Sequence, residues 1–227
     1  MKDASIDTAR RAIFSRLRSA MPAEQVGPPN LDGYYAQSFT ASTADRVAQF
    51  VERARGWQAE VIETTLADWP VALLSVLEVK GVKRLLAGRD TELSTSLAST
   101  VGAECLCWYD ESLDRFKATL FAEMDAGITT TRGGIVETGS LILWPNGNEP
   151  RTLSLVPPLH IAVVHVDQLH DTLYSAILAQ RWSEGLPTNA LLVTGPSKTA
   201  DIQRLLVYGA HGPKQLTILL IRSEEQA

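Results

Sequence analysis

Three groups of residues in this chain have the types that do chemistry. The first is the run Gly195-Pro196-Ser197-Lys198-Thr199-Ala200-Asp201, entered from an apolar stretch at 190–193. Gly195-Pro196 forces a turn, because Gly tolerates positive φ and Pro fixes φ. Ser197 is a candidate N-cap, and Ile202, Leu205 and Leu206 follow at helical spacing, with Gly209 placed to close the helix. The expected unit is strand–turn–helix. Such a turn offers free backbone N–H groups, the hydroxyls of Ser197 and Thr199 and the ammonium of Lys198, a combination that attracts anions. A helix cap without a ligand is the competing reading. The Ser-Lys-Thr run is not a nucleotide P-loop, since that pattern needs Gly where Leu192 and Ser197 stand.

The second group is Glu137-Thr138-Gly139, between two apolar pieces. A carboxylate there must be paired or sit at an opening, because burying it alone is costly. Glu137 is therefore a candidate general base, nucleophile or partner for a ligand hydroxyl. A strand-end Glu in water or in an ion pair is an equal alternative. The third group is made of isolated side chains. His160 and His165 lie on one strand at odd spacing and face opposite sides, so they cannot chelate a metal together. His160 is expected at the strand's entrance. His211, between small residues in a turn, is a candidate acid, base or anion donor. Arg151 is placed to clamp a carboxylate or phosphate. For each of these, a structural or surface role is the bland alternative.

Composition narrows the class. The 227 residues are 45% hydrophobic and 21% charged, with a net charge of −5. This is a soluble globular profile without the basic footprint of a nucleic-acid binder. There is no apolar leader and no run long enough to span a membrane, so a cytoplasmic location is expected. Cys105 and Cys107, at i and i+2 of an expected strand, share a face and read as small buried hydrophobes rather than a redox or metal pair. With two cysteines, the chain cannot hold a four-cysteine iron–sulfur cluster by itself.

The elements that must position these residues follow an α/β rhythm. Residues 4–20 read as an amphipathic helix with Ile6, Ala9, Ile13 and Leu17 in one stripe. Breakers from Met21-Pro22 to Asp32-Gly33 make it an arm, so that 1–42 is arm and linker and 43–227 the main domain. Ser42-Thr43-Ala44-Asp45 is a capping box opening a helix that ends near Gly56. Strands are expected at 57–62, 82–87 and 104–109, and helices at 66–79 and 91–101. Residues 110–117 read as a polar connection. Short glycine-broken strands follow from 127 to 144, then a loop tip at 145–148. A buried strand is expected at 159–166, a helix capped by Asp167, and strands at 190–194 and 216–221. Alternation of this kind marks a largely parallel sheet flanked by helices.

Several ordered motifs together resemble the LUD (lactate utilization domain) family. They are Gly127-Ile128-Thr129, Glu137-Thr138-Gly139-Ser140, Arg151-Thr152-Leu153-Ser154-Leu155-Val156-Pro157-Pro158-Leu159-His160-Ile161, Thr194 to Ile202, and His211-Gly212-Pro213. The resemblance implies an open sheet of the NagB/RpiA/CoA-transferase-like type and a role in oxidising L-lactate to pyruvate beside iron–sulfur partner subunits, with the clusters on those partners. It also implies family motif positions at Glu137, Thr138, Arg151, His160, Ser197, Thr199, Asp201 and His211. The alternatives are a free-standing enzyme of CoA-transferase-like fold acting on an anionic metabolite, and an assembly subunit without catalysis. One departure stands out: where Gly-Ala-Asp or similar is expected after Gly-Ile-Thr, the chain has Thr130-Thr131-Arg132, so an acid is replaced by a cation.

Overall fold

The computed structural model describes residues 2–20, 42–200 and 206–222. It divides into two compact units. In the first, α1 (Lys2–Ser19) is a single helix with Arg16 and Arg18 in its last turn and an Asp7–Arg11 ion pair one turn apart. Its Ile13, Phe14 and Leu17 side chains are exposed.

The second unit is built on a six-stranded parallel sheet. Its strands are β1 (Glu60–Thr65), β2 (Leu85–Gly88), β3 (Leu106–Tyr109), β4 (Ala126–Thr129), β7 (Leu159–His165) and β12 (Gln215–Arg222), in the order β1-β12-β7-β4-β2-β3. β7 and β12 lie between other strands and under helices. They therefore read as near-continuous apolar runs rather than alternating ones.

Helices cover both faces. Trp69, Leu73, Val76 and Leu77 of α3 (Trp69–Lys80) and Leu97 of α4 (Ser94–Thr100) pack against Leu85, Ile128, Ile161, Val163 and Leu219. On the opposite face, Val47, Phe50, Val51 and Ala54 of α2 (Thr43–Gly56) meet Ala162, Val164, Ile218 and Leu220. The helix α2 begins with the expected capping box between Ser42 and Asp45, and α3 carries Pro70 in its first turn and ends at left-handed Gly81. Farther along the same face as α2, Leu120 of α5 (Leu113–Ala122) and Leu153 of α6 (Thr152–Leu155) cover Leu86. A smaller four-stranded sheet, in the order β8-β5-β6-β9, joins β5 (Gly133–Ile135), β6 (Ser140–Leu143), β8 (Leu169–His170) and β9 (Leu191–Val193). The helix α7 (Leu173–Ala179) packs on Ile135 and Ile142.

Four expectations are corrected. Residues 113–122 form α5 rather than a polar connection, because Phe116 and Leu120 reach the core while the rest of the turn faces water. Asp167 does not cap a helix: it lies in a short turn at 166–168, and Thr172 caps α7 with Ser175 as its reciprocal partner. Cys105 precedes β3 in a turn closed by its N–H to the Gly102 carbonyl, so Cys105 packs with the α3 side and Cys107 with the α5 side. After Gly195-Pro196 the chain enters a strand rather than a helix start, and the expected helical positions Ile202 and Leu205 lie outside the described residues. β10 (Lys198–Ala200) pairs antiparallel with β11 (Leu206–Tyr208).

Candidate functional site

The order of the large sheet locates a crevice. From β2 the chain moves outward to the edge strand β3, and from β4 it moves the other way through β7 to β12. The loops leaving β2 and β4 therefore part at their C-terminal ends. Open α/β sheets bind ligands at such a switch point. A cavity of about 530 Å³ lies here. It is lined by Asp90, Thr91 and Glu92 after β2, by Thr130, Thr131 and Arg132 after β4, and by Asp167, Gln168 and His170 after β7. The loop after β6 supplies Trp144, Asn146, Asn148 and Glu149, and Gln180 follows α7.

Two local devices bring Glu149 into the crevice. Asn146 Oδ1 accepts the backbone N–H groups of Asn148 and Glu149 at 2.8 and 2.9 Å, folding the loop on itself. Gly88 lets that loop lie on the end of β2, since a Cβ there would stand 2.4 Å from the Asn148 carbonyl oxygen. The Glu149 carboxylate is 8% exposed. It accepts the Thr130 N–H at 3.0 Å and the Thr130 hydroxyl. Burial pushes the carboxyl's pKa up, the two Thr130 bonds oppose this, and Glu92 adds to the rise.

The opposite wall is a chain of assigned hydrogen bonds. The Trp182 indole only donates, and its Nε1–H points at Gln180 Oε1 at 2.9 Å. This fixes the amide, so Gln180 Nε2 donates to the Arg132 carbonyl at 2.6 Å and faces His170 Nε2 at 3.1 Å. His170 Nε2 must then accept, which leaves its proton on Nδ1. Burial, with Arg46 nearby, lowers the His170 pKa, against the pull of Asp171. Arg46 and Asp171 form a two-bond ion pair at 2.7 and 2.9 Å. The Arg132 guanidinium lies over the Trp144 ring at 4.8 Å, and Trp144 meets Trp182 edge-on.

The residues singled out from the sequence lie elsewhere. Glu137 is exposed in the turn between β5 and β6, bonded through its backbone N–H to the Asp171 carbonyl. Thr138, Ser140 and Thr194 form a hydroxyl chain at 2.8 and 2.9 Å. Gly139 and Gly195 serve close backbone approaches: a Cβ would meet Ala54 N at 2.4 Å and Trp57 O at 2.5 Å respectively. Ser197 caps no helix; its N–H donates to Pro213 O at 2.8 Å, and Thr199 Oγ1 lies 3.1 Å from His211 Nδ1. This cluster is tied to the N-terminal end of the sheet, where Lys214 and Gln215 donate to the Pro158 carbonyl just ahead of β7. Lys198 and Arg151 are exposed, and Asp201 is outside the described residues. His160 is not at an entrance. It is 1% exposed, with Nε2 2.9 Å from Thr129 Oγ1. Glu137, the Ser197 turn and His211 do not line the crevice, which is the candidate site of this structure. The departure Thr130-Thr131-Arg132 lies inside that site.

Among the described residues, no group of three or more His, Cys, Asp or Glu side chains is placed to hold a metal ion. Among them also, no helix is long and apolar enough to cross a membrane.

Fold and crevice together define an α/β protein with a parallel sheet, helices on both faces and a helical N-terminal unit. The LUD domain model matches residues 30–221, and the chain belongs to that family. It is 33% identical, over 94% of each chain, to an uncharacterized protein of Neisseria meningitidis serogroup B. It is similar to proteins named lactate utilization protein C from Deinococcus radiodurans, at 29% identity over 95% of this chain and 93% of the relative, and from Macrococcus caseolyticus, at 26% over 92% of each. The crystal structure of a DUF162 family protein from Deinococcus radiodurans has the same fold. It matches with a TM-score of 0.60 at 23% identity, covering 80% of this chain and 99% of that one.

Proposed function

We propose that this chain is the subunit of an L-lactate utilization system that carries no iron–sulfur cluster, working beside iron–sulfur partner subunits. In this reading it is cytoplasmic and binds a small anionic ligand in the crevice between the β2 and β4 loops. The relatives named lactate utilization protein C support the pathway. The six-stranded parallel sheet fits a NagB/RpiA/CoA-transferase-like core. The observation that carries the ligand site is Arg132, a cation held on Trp144 at the switch point, in a crevice also lined by the buried Glu149.

Chemically, Arg132 is suited to an oxyanion, and Glu149 to exchanging a proton with a ligand hydroxyl or carbonyl. A free-standing enzyme on this fold would draw its carboxylate from Glu149 rather than from exposed Glu137. An assembly role has its own support in the exposed Ile13, Phe14 and Leu17 of α1. Reconstitution with the iron–sulfur partners tests the main reading. Lactate oxidation should need this chain and should weaken with Arg132→Ala. Equal oxidation without the chain rejects the subunit role. Loss of co-purification on deleting residues 1–20, with oxidation unchanged, would favour assembly.

A further inference from the structure

The cavity lining is unequal in what it offers a ligand. Four of its neutral donors are committed within the protein. Thr130 Oγ1 donates to Glu149, Thr131 Oγ1 to the Val163 carbonyl, Asn148 Nδ2 to the Asp90 carbonyl and Gln180 Nε2 to the Arg132 carbonyl. Beside Glu149, its charged side chains are one guanidinium, Arg132, and the rim carboxylates of Asp90, Glu92 and Asp167. Among the described residues, none of these four side chains has an ion-pair partner. The Arg132 head group is positioned in advance by Trp144, which Trp182 backs, and its carbonyl is held by Gln180.

Charge decides what fits. A bare monoanion on Arg132 gains one attraction and meets three negative groups around the same opening. A ligand whose far end is cationic converts those three repulsions into attractions. Size agrees, because a space of about 530 Å³ is far larger than a three-carbon acid fills and lies in the range that holds larger organic ligands. We infer that the cavity takes a zwitterion, with its carboxylate on Arg132 and an ammonium group among Asp90, Glu92 and Asp167. This rests on the reading of the crevice as the ligand site, and it makes lactate alone the poorer occupant.

The test uses three matched six-carbon probes on the full chain: 6-aminohexanoate, hexanoate and hexylammonium. Binding is followed by protein-observed NMR titration. The expected result is that 6-aminohexanoate binds about tenfold tighter than either single-ended probe, the advantage of one well-placed ion pair near the protein surface. Arg132→Ala should reduce its affinity to that of hexylammonium, and Arg132→Lys should restore part of it. The triple variant Asp90→Asn, Glu92→Gln, Asp167→Asn should reduce it to that of hexanoate. These are exposed positions, so the variants are expected to fold, and the amide spectrum reports whether they do. Equal binding of hexanoate and 6-aminohexanoate overturns the zwitterion and leaves the crevice reading standing. Binding that ignores Arg132→Ala overturns the crevice reading itself. No binding by any of the three probes also overturns the zwitterion.

Discussion

Acid should destabilise this fold through His160 by a calculable amount. The ring sits on β7, in register with Gly127 on one neighbouring strand and Leu216 on the other, and only 1% of the residue is exposed. Among the described residues its side-chain partner is Thr129 Oγ1, at 2.9 Å. Burial pushes its pKa from the ordinary 6.5 down to about 4. The folded chain therefore holds this proton less tightly than the unfolded chain. The stability it contributes is fully present above pH 6.5 and is lost as the pH falls towards 4. A gap of roughly 2.5 pH units at about 1.4 kcal/mol each gives between about 3 and 4 kcal/mol, of which about 3 is lost by pH 4. Against a typical total of roughly 5–15 kcal/mol, that is a large share. The perturbation is His160→Gln, which keeps a polar partner for Thr129 and cannot titrate. Urea unfolding of both proteins at pH 7, 6, 5 and 4 gives the comparison. The variant should be less stable at pH 7, yet the wild type should lose about 3 kcal/mol more than the variant between pH 7 and 4. Every other group titrates in both proteins, so the difference isolates His160. Parallel curves would refute the argument that burial sets this ring's protonation.

Further outcomes follow from the same geometry. Gly127→Ala puts a Cβ 2.1 Å from the Leu153 carbonyl oxygen, which is backbone and cannot swing away; chemical denaturation should show a loss of roughly 1–3 kcal/mol. Glu149→Gln should gain stability relative to wild type as pH rises. The raised pKa means the fold favours the protonated carboxyl, and its contribution is lost as pH passes the folded value; a flat difference across the acidic range would contradict this. Trp182→Phe removes the donor that orients Gln180, so NMR should find the His170 ring titrating at higher pH, and an unmoved titration would show that the amide is held by other means.

The elements with long, regular patterns were readable from residue types alone. The capping box at Ser42 and the stripe Val47, Phe50, Val51 and Ala54 describe α2, and the apolar runs describe β7 and β12. Short elements were not. Three-residue strands such as Lys198–Ala200 and Leu206–Tyr208 carry no period. What closes that region is tertiary: the Ser197 N–H on Pro213 and the Gly209 N–H on Ser197. The crevice was hidden for a related reason. Its lining comes from the ends of β2, β4 and β7, brought together by strand order, and no local pattern in Asp90, Glu149 or Gln180 announces that meeting. The signal that was present is positional. The loop after the strand holding Gly127-Ile128-Thr129 leaves a C-terminal strand end, and Thr130-Thr131-Arg132 is that loop.

The family motifs divide by the work they do in this fold. Gly127 lets α6 close on the sheet beside His160, Gly139 lets the β5–β6 turn touch α2, and Gly212 leaves room for Ser197. These residues make the domain, and they lie away from the β2–β4 crevice. Arg132, where an acid was expected, lies within it. Swapping an acid for a guanidinium there changes the lining by two charges without disturbing any of the close approaches. The close approaches that make this fold are therefore separate from the charge that lines its crevice. A direct consequence is that Arg132→Asp should leave urea stability nearly unchanged, since the side chain is exposed and its lost contact is the Trp144 face. The same variant should abolish the preference for a carboxylate-bearing ligand. A large loss of stability in that variant would mean that Arg132 belongs to the scaffold, and the division between fold-making and ligand-reading residues would fail at its central position.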